Sequence, residues 1–415
     1  MSKLRTASSV AGASVPEPER AAAEGRAPRA SSSAGSRTAA ADAPATTLLV
    51  LGCLHGAMLV PLWTAMWLGW LPVPTWATPI AWHAHEMTSG LILASTSAAM
   101  WSLGAARASG APMLRWAIVG VWVLGRIAFV TAPAASPIWL AAIDLPLLPA
   151  LALTLVRGAG GADGPPRRGV AALLVGWALA NAMLHAGALG FAPGLARETA
   201  HLPVHLAAAL LVILGPRWLV SEPISESREI VLLSVATLVA ALVLDALGVV
   251  TGDETEEHAA ALRLLAAVLL VVRIHRWRTA GPPSGAASTA LLAAYAWLPL
   301  GLVLEAASEV FAAWPEAAGL HALTIGGLAG SAIAAALALP RATRPSTRRE
   351  SAPALLRWSA LSLAPQLTMS AAAVLRVVGE LAGPIAVPAL ASAAGLFSLS
   401  LLGAAAIAAS ARRGV

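Results

Sequence analysis

Cysteine, lysine and charged side chains in general are scarce in this sequence. Among 415 residues, Cys53 is the only cysteine and Lys3 the only lysine. A single cysteine excludes an internal disulfide, a cysteine-ligated metal cluster and the Cys-x-x-Cys-His attachment of a c-type haem. Charged residues make up 12% of the chain, against about 25% in soluble domains. The composition therefore argues against a soluble protein.

Motifs that identify many enzymes are missing as well. The sequence contains no Walker loop, no paired acid motif and no nucleophile elbow. Its basic residues are spread over short segments between apolar runs, which indicates membrane topology and not a nucleic-acid partner. Whether the chain is an enzyme stays open at this point.

Long apolar runs fill most of the sequence, which is 58% hydrophobic. A helix needs about 20 apolar residues to cross a bilayer. The runs therefore predict an all-α, polytopic transmembrane bundle of about twelve helices, with the lipid bilayer as its surroundings. The predicted spans are residues 47–70, 81–103, 113–132, 137–156, 168–190, 200–220, 228–250, 258–274, 287–311, 317–339, 353–375 and 384–409.

The first 45 residues differ from the rest. They are rich in Ala, Ser, Pro, Arg and Glu and show no apolar period. This composition is typical of disorder. The sequence thus predicts two parts, a disordered cytoplasmic tail at 1–45 and a twelve-helix transmembrane domain at 46–410.

The distribution of arginine predicts the orientation of the helices. With the N-terminus in the cytoplasm, nearly all of the 27 Lys and Arg residues fall on the cytoplasmic side. The exceptions are Arg126, within a span, and Arg197, Arg263 and Arg376, on the outer side. Because cytoplasmic loops carry the excess of Lys and Arg, both termini are expected in the cytoplasm.

Many ionisable residues fall within or beside the spans, which is costly and usually functional. In the predicted orientation most of them lie towards the outer side, where several helices contribute imidazoles. A layer of imidazoles suits haem or copper, and nearby carboxylates can orient the ligands. The polar residues of this layer are His83, His85, Glu86, Arg126, Asp144, Asn181, His185, His201, His205, Asp245, Glu305, Glu309 and His321.

Pairs of these residues also have interpretations that involve no metal. His201 and His205 share a helix face and either clamp a metal or cap the start of a helix. Asn181 and His185 also share a face and either ligate or form an interhelical hydrogen bond. His83 and His85 point to different faces of a helix.

His83 and Glu86 share a face, so that a ligand and its orienting carboxylate are plausible there. Arg126 could pair with a haem propionate or simply with Asp144 or Glu86.

Several segments, taken in order, resemble the NnrS family of membrane proteins. They cover roughly residues 50–340, and the first and last of them are the most specific. The matching segments are Trp82-His83-Ala84-His85-Glu86-Met87, Leu124-Gly125-Arg126, Asp144-Leu145-Pro146-Leu147-Leu148-Pro149, Asn181-Ala182-Met183-Leu184-His185, Ala294-Tyr295-Ala296-Trp297 and His321-Ala322-Leu323-Thr324-Ile325-Gly326-Gly327.

The resemblance implies haem b and copper, a link to nitric oxide and nitrosative stress, and the bacterial cytoplasmic (inner) membrane. It implies His83, His85, His185 and His321 as cofactor ligands. His201, His205 and Glu86 are added as metal ligands, and Arg126, Asp144 and Asn181 as residues that hold the ligands or a propionate. Two axial histidines would favour electron transfer, whereas one would leave a position open for nitric oxide.

Departures from the family pattern fall mostly on the predicted cytoplasmic side. The chain has Thr47-Leu48-Leu49-Val50 and Arg344-Pro345-Ser346-Thr347-Arg348 where the family usually has Phe-Arg-Pro-Phe-Phe and Gly-His-Thr-Gly-Arg.

Two rival hypotheses about the function therefore remain. One is a transporter that uses the intramembrane His, Glu and Asp residues as a substrate or proton path, and the other is a membrane scaffold without a cofactor.

Overall fold

The part of the chain that the structure describes is built from α-helices without any strand, which confirms the predicted all-α bundle. A computed structural model describes residues 32–72, 78–102, 112–131, 136–157, 167–191, 201–219, 227–251, 255–280, 285–311, 313–343, 352–381 and 386–410. Nine of the described helices are long and apolar enough to span a membrane. The chain is therefore a multi-pass membrane protein.

We number twelve helices in chain order and treat helices that continue across a break as one. They are α1 (Ser32–Trp67), α2 (Pro79–His85, Glu86–Ile92 and Leu93–Ser102), α3 (Pro112–Thr131), α4 (Pro137–Asp144 and Leu147–Arg157), α5 (Arg167–Ala188), α6 (Leu202–Leu219), α7 (Arg228–Thr251), α8 (Glu256–Ala280), α9 (Ala286–Val310), α10 (Glu316–His321, Ala322–Ala329 and Gly330–Thr343), α11 (Ala352–Leu381) and α12 (Ala386–Ser410).

The first helix begins earlier than the sequence predicted. Residues 32–45, assigned to the disordered tail, are the helical start of α1. This stretch is rich in alanine, the strongest helix former, and it continues directly into the apolar span Ala43–Trp67. The rest of the predicted tail, residues 1–31, lies outside the described residues.

Burial differs strongly between helices. In the most apolar part of α10, 83% of the residues are buried, whereas the figure for α7 is 22%. The helix α10 therefore runs through the interior of the bundle, and α7 lies at its periphery, where its apolar side chains face lipid. The helices α9, α11 and α12 pack around α10.

Two helices widen into π-helix immediately after a histidine. In α2 the π-helical segment Glu86–Ile92 follows His85, and in α10 the segment Ala322–Ala329 follows His321. Short π-helical insertions are uncommon and concentrate at functional sites, because they shift the side chains that follow relative to those before. A third irregularity interrupts α4 after Asp144, where Pro146 cannot donate the helical hydrogen bond.

Glycines within the π-helical segments let the neighbouring helices come close. A Cβ at Gly90 would lie 2.6 Å from the His55 ring of α1, and a Cβ at Gly326 would overlap the Trp297 ring of α9. Small residues at such contacts are characteristic of helix packing in membranes. Close packing of α1 on α2 and of α9 on α10 thus fixes the ends of α2 and α10 that carry the histidines.

Candidate functional site

Buried polar side chains from four helices meet around Asp144. Each of them is less than 6% exposed, although the surroundings are apolar. All had been singled out from the sequence, and the structure brings them into direct contact. We call this group the Asp144 cluster, and it consists of His85 and Glu86 of α2, Arg126 of α3, Asp144 of α4, and Asn181 and His185 of α5.

Arg126 joins the two carboxylates of the cluster. Its Nη1 donates to Glu86 Oε1 at 2.7 Å, and its Nη2 donates to Asp144 Oδ1 at 2.7 Å. Of the two partners considered for Arg126, the structure shows the carboxylates. Two carboxylates and one guanidinium leave one negative charge if the histidines are neutral. Because an uncompensated buried charge is costly, the cluster favours a further cation, either a proton on a histidine or a metal ion.

Two imidazoles face the other oxygen of Asp144. The Nε2 atoms of His85 and His185 lie 3.0 and 3.2 Å from Asp144 Oδ2, which also accepts a hydrogen bond from Asn181 Nδ2 at 2.6 Å. Among the described residues, His85, Asp144 and His185 are the only group of three whose ligand atoms all lie within 4.8 Å of one another.

These spacings are close to those of a metal site. At metal–ligand distances of about 2.0–2.2 Å, two ligands of a tetrahedral ion lie roughly 3.3–3.6 Å apart. Small side-chain movements would bring the three atoms of the triad to that separation. Asp144 would keep its other oxygen on Arg126, so the arginine would hold the carboxylate in place without competing for the ion.

Glu86 pairs with residues other than His83. The two were expected to share a helix face, and α2 is a regular α-helix up to Glu86, whose N–H bonds the carbonyl of Trp82. The Glu86 carboxylate contacts His85, Arg126 and His55, the last with Nε2 and Oε2 3.1 Å apart. Among the described residues its ion pairs are therefore with these three side chains and not with His83.

His55 is the residue of this site that the sequence analysis missed. It lies in the middle of the α1 span, away from the predicted outer layer. Its residue type could have identified it. Histidine is ionisable, and an ionisable side chain in the middle of a span usually has a polar partner. Gly90 provides the space in which the His55 ring reaches Glu86.

His83 and His321 form a second group, separate from the Asp144 cluster. The His83 ring stacks on Trp63 of α1, and the His321 ring lies beside Glu380 of α11. His321 Nδ1 bonds the carbonyl of Ala317 at 2.6 Å. The two histidines are near enough to interact electrostatically. The predicted separation of His83 and His85 onto different faces of α2 is therefore observed.

His201 and His205 lie in a third group. His205 Nε2 contacts Glu305 Oε2 at 2.9 Å, and His205 Nδ1 contacts the carbonyl of His201 at 3.3 Å. Both ring nitrogens of His205 are thus engaged, and Glu86 lies elsewhere, in the Asp144 cluster. The geometry favours the alternative of histidines at a helix start over a metal clamp.

Arg263 connects this third group across α7, α8 and α9. It forms ion pairs with Asp245 at 2.6 Å, with Glu305 at 3.7 Å and with Glu309. Arg263 and Arg376 were predicted on the outer side of the membrane. Both lie within helices and form ion pairs with carboxylates of the bundle.

Comparison with known proteins supports the family suggested by the sequence. A search of the curated proteins finds no match. A family model described as NnrS protein matches residues 47–411, which includes all twelve helices apart from the first part of α1. Since the match extends over most of the chain, it confirms the resemblance of the separate motifs: the chain belongs to the NnrS family.

Proposed function

We propose that this protein binds haem b and copper near the outer face of a bacterial cytoplasmic membrane, and that it acts on, senses or buffers nitric oxide or a related reactive nitrogen species. The observation that carries the proposal is the separation of the histidines into two sets with different surroundings. One set converges on the Asp144 carboxylate, and the other lies beside Trp63 and the Arg376–Glu380 ion pair. Two cofactors of different chemistry fit this division.

The haem is assigned to the set that contains His83 and His321. His83 Nδ1 is buried and has no hydrogen-bond partner among the described residues. A buried polar atom without a partner is costly, and ligation of haem iron would satisfy a ring nitrogen of this imidazole. In His321 the hydrogen bond from Nδ1 to Ala317 fixes the ring and leaves the lone pair of Nε2 for a ligand.

Copper is assigned to His85, Asp144 and His185. Two imidazole nitrogens and one carboxylate oxygen are a donor set that Cu(II) accepts. The cation would also neutralise the remaining negative charge of the Asp144 cluster. Arg126 and Asn181 would hold the Asp144 carboxylate in position, and Phe129, whose ring centroid lies 4.6 Å from that of His85, would limit access of water.

The residues around these sites determine what bound cofactors can do. Haem iron or copper supplies exchange of single electrons and, where a coordination position is open, binding of nitric oxide. Trp63 and Phe129 shield the two sites, and the Asp144 cluster keeps charged groups fixed by hydrogen bonds in an apolar environment. The arginine distribution predicts that both sites face the outer side, which nitric oxide reaches by diffusion.

The test is an absorption spectrum of the detergent-purified protein, oxidised and then reduced with dithionite, with metal analysis of the same sample. A Soret band and a reduced α-band near one haem per chain are expected, lost in His83→Ala or His321→Ala. Copper is expected to be lost in His185→Ala. Addition of nitric oxide to the reduced protein then shows whether an axial position is open.

An opposite result would favour the rival hypotheses. If protein made with ample haem and copper contained neither, the cofactor proposal would fail for this chain. Proton-coupled flux into proteoliposomes that is abolished by Glu86→Gln would then support a transporter, whereas full function in every single His→Ala variant would support a scaffold.

A further inference from the structure

Arg376 is a cation of the bundle that the proposed function leaves without a role. It lies on α11 and forms an ion pair with Glu380, four residues further along the same helix. The side chain is 22% exposed, so it lies at the edge of the interior and not in open solvent. A pair at this spacing on one helix contributes little to stability by itself, so structure alone gives a weak reason for the residue.

Glu380 places Arg376 next to a candidate haem ligand. Its Oε1 is paired with Arg376 Nη1 and also lies 3.7 Å from Nδ1 of His321. Arg376 and His321 thus meet at one carboxylate oxygen. The electrostatic influence of Arg376 extends to His83 as well. The positive charge of Arg376 therefore acts on both histidines that are assigned to haem.

Arg376 is able to bind a second anion in addition to Glu380. Among the described residues, the carboxylate that pairs with Arg376 is that of Glu380, which contacts Nη1. A guanidinium carries five N–H donors, more than one carboxylate engages. Arg126 differs, because its two terminal nitrogens each donate to a separate carboxylate within the Asp144 cluster. Arg126 thus holds two carboxylates and Arg376 one, so Arg376 is the better placed of the two to bind another.

We propose that Arg376 binds a propionate of the haem, and this inference rests on the proposed function. A propionate is a carboxylate, and the planar guanidinium can bind it through two parallel hydrogen bonds. Glu380 holds the guanidinium at the edge of the site, with its own carboxylate in contact when no propionate is bound. The position at the edge suits a propionate, which must leave the apolar interior, while the porphyrin ring remains inside it.

The test compares haemin with haemin dimethyl ester, in which both propionates are neutral esters. Protein purified from haem-deficient cells is titrated with each compound, and binding is followed by the Soret band. We expect Arg376→Gln to weaken haemin binding about 10- to 100-fold, as loss of a charged hydrogen bond predicts. The same variant should bind the dimethyl ester as the unmodified protein does.

Two further variants guard against indirect effects. Arg376→Lys keeps the charge and should recover part of the affinity for haemin, whereas Arg276→Gln removes an exposed arginine and should leave both affinities unchanged. Size-exclusion chromatography of each variant checks that it folds.

The outcomes are distinct. Failure of the unmodified protein to bind haemin would refute the proposed function and this inference with it. Equal effects of Arg376→Gln on haemin and on its ester, or no effect on either, would refute the propionate contact and leave the haem assignment standing.

Discussion

The rings of Trp63 and His83 are stacked, with their centroids 4.5 Å apart and their planes inclined by 14°. Trp63 belongs to α1 and His83 to α2, so the contact fixes the imidazole from a neighbouring helix. If His83 ligates haem iron, Trp63 determines the orientation of the ligand plane. The contact is therefore open to a direct spectroscopic test.

Replacement of Trp63 by leucine should release the His83 ring. A stacked aromatic pair is worth about 0.5–1.5 kcal/mol, so haem binding should weaken roughly 2- to 13-fold. The electron paramagnetic resonance spectrum of the ferric haem should also change, because it responds to the ligand plane. Trp63→Phe should retain most of both properties.

Trp70→Leu is the matched control, since Trp70 lies near the same end of α1 and is 75% exposed. Equal effects of Trp70→Leu and Trp63→Leu on haem binding would contradict the specific role of the stack.

Replacement of Asp144 by asparagine should abolish copper binding at the triad of His85, Asp144 and His185. The amide has a similar size but lacks the charge that a cation requires, and ligand loss should exceed the 10- to 100-fold effect typical of residues that only orient ligands. Copper per chain, measured by mass spectrometry after equilibrium dialysis, gives the affinity. Asp245→Asn is the control, because Asp245 pairs with Arg263 in the third group. Loss of copper in Asp245→Asn but not in Asp144→Asn would locate the metal elsewhere.

Replacement of Arg126 by glutamine should destabilise the fold. It would leave Glu86 and Asp144 buried without their counter-charge, which costs about 3–5 kcal/mol. Thermal unfolding in detergent should show a large decrease in midpoint temperature. The double variant Arg126→Gln/Glu86→Gln should recover part of the loss, since it removes one of the two negative charges.

Arg276→Gln provides a baseline, because Arg276 is exposed and changes there usually stay within about 0.5 kcal/mol. A midpoint for Arg126→Gln equal to that of Arg276→Gln would show that the carboxylates are not charged in the folded protein.

A single methyl group at Gly326 should disturb the contact between α9 and α10. The added Cβ would overlap the Trp297 ring, and overpacking of this kind costs about 1–3 kcal/mol. Gly120→Ala is the control, because the corresponding Cβ in α3 meets nothing within 4 Å and alanine is the better helix former. If Gly326→Ala unfolded at or above the temperature of Gly120→Ala, the close approach of α9 to α10 would be refuted.

The sequence placed the residues of the Asp144 cluster in one layer, because depth in the membrane can be read from position along a helix. His85, Glu86, Arg126, Asp144, Asn181 and His185 were placed at one depth, and buried polar groups at one depth tend to find each other. The twelve-helix fold followed from the length of the apolar runs, since a bilayer permits few alternatives.

The partners of each side chain were predicted less well. Glu86 is spaced to share a face of α2 with His83, but its carboxylate pairs with Arg126 and His55 of neighbouring helices, and the sequence of one helix does not tell which neighbour supplies a partner. The same limitation hid Arg376, which the arginine count assigned to the outer side. Its place beside His321 follows from how α11 packs on α10, a tertiary contact that no local pattern specifies.

The two π-helical segments have a consequence for how the protein is organised. Each begins after a histidine, with a threonine three positions on, bonded to the carbonyl four residues earlier, and a glycine at the fifth position. In each case a ring from the preceding helix fills the space at the glycine, His55 in one and Trp297 in the other. The hairpins α1–α2 and α9–α10 thus share one local arrangement of histidine, threonine, glycine and inserted ring. Only in α1–α2 is that ring ionisable, whereas α9–α10 has the indole of Trp297 at the same place.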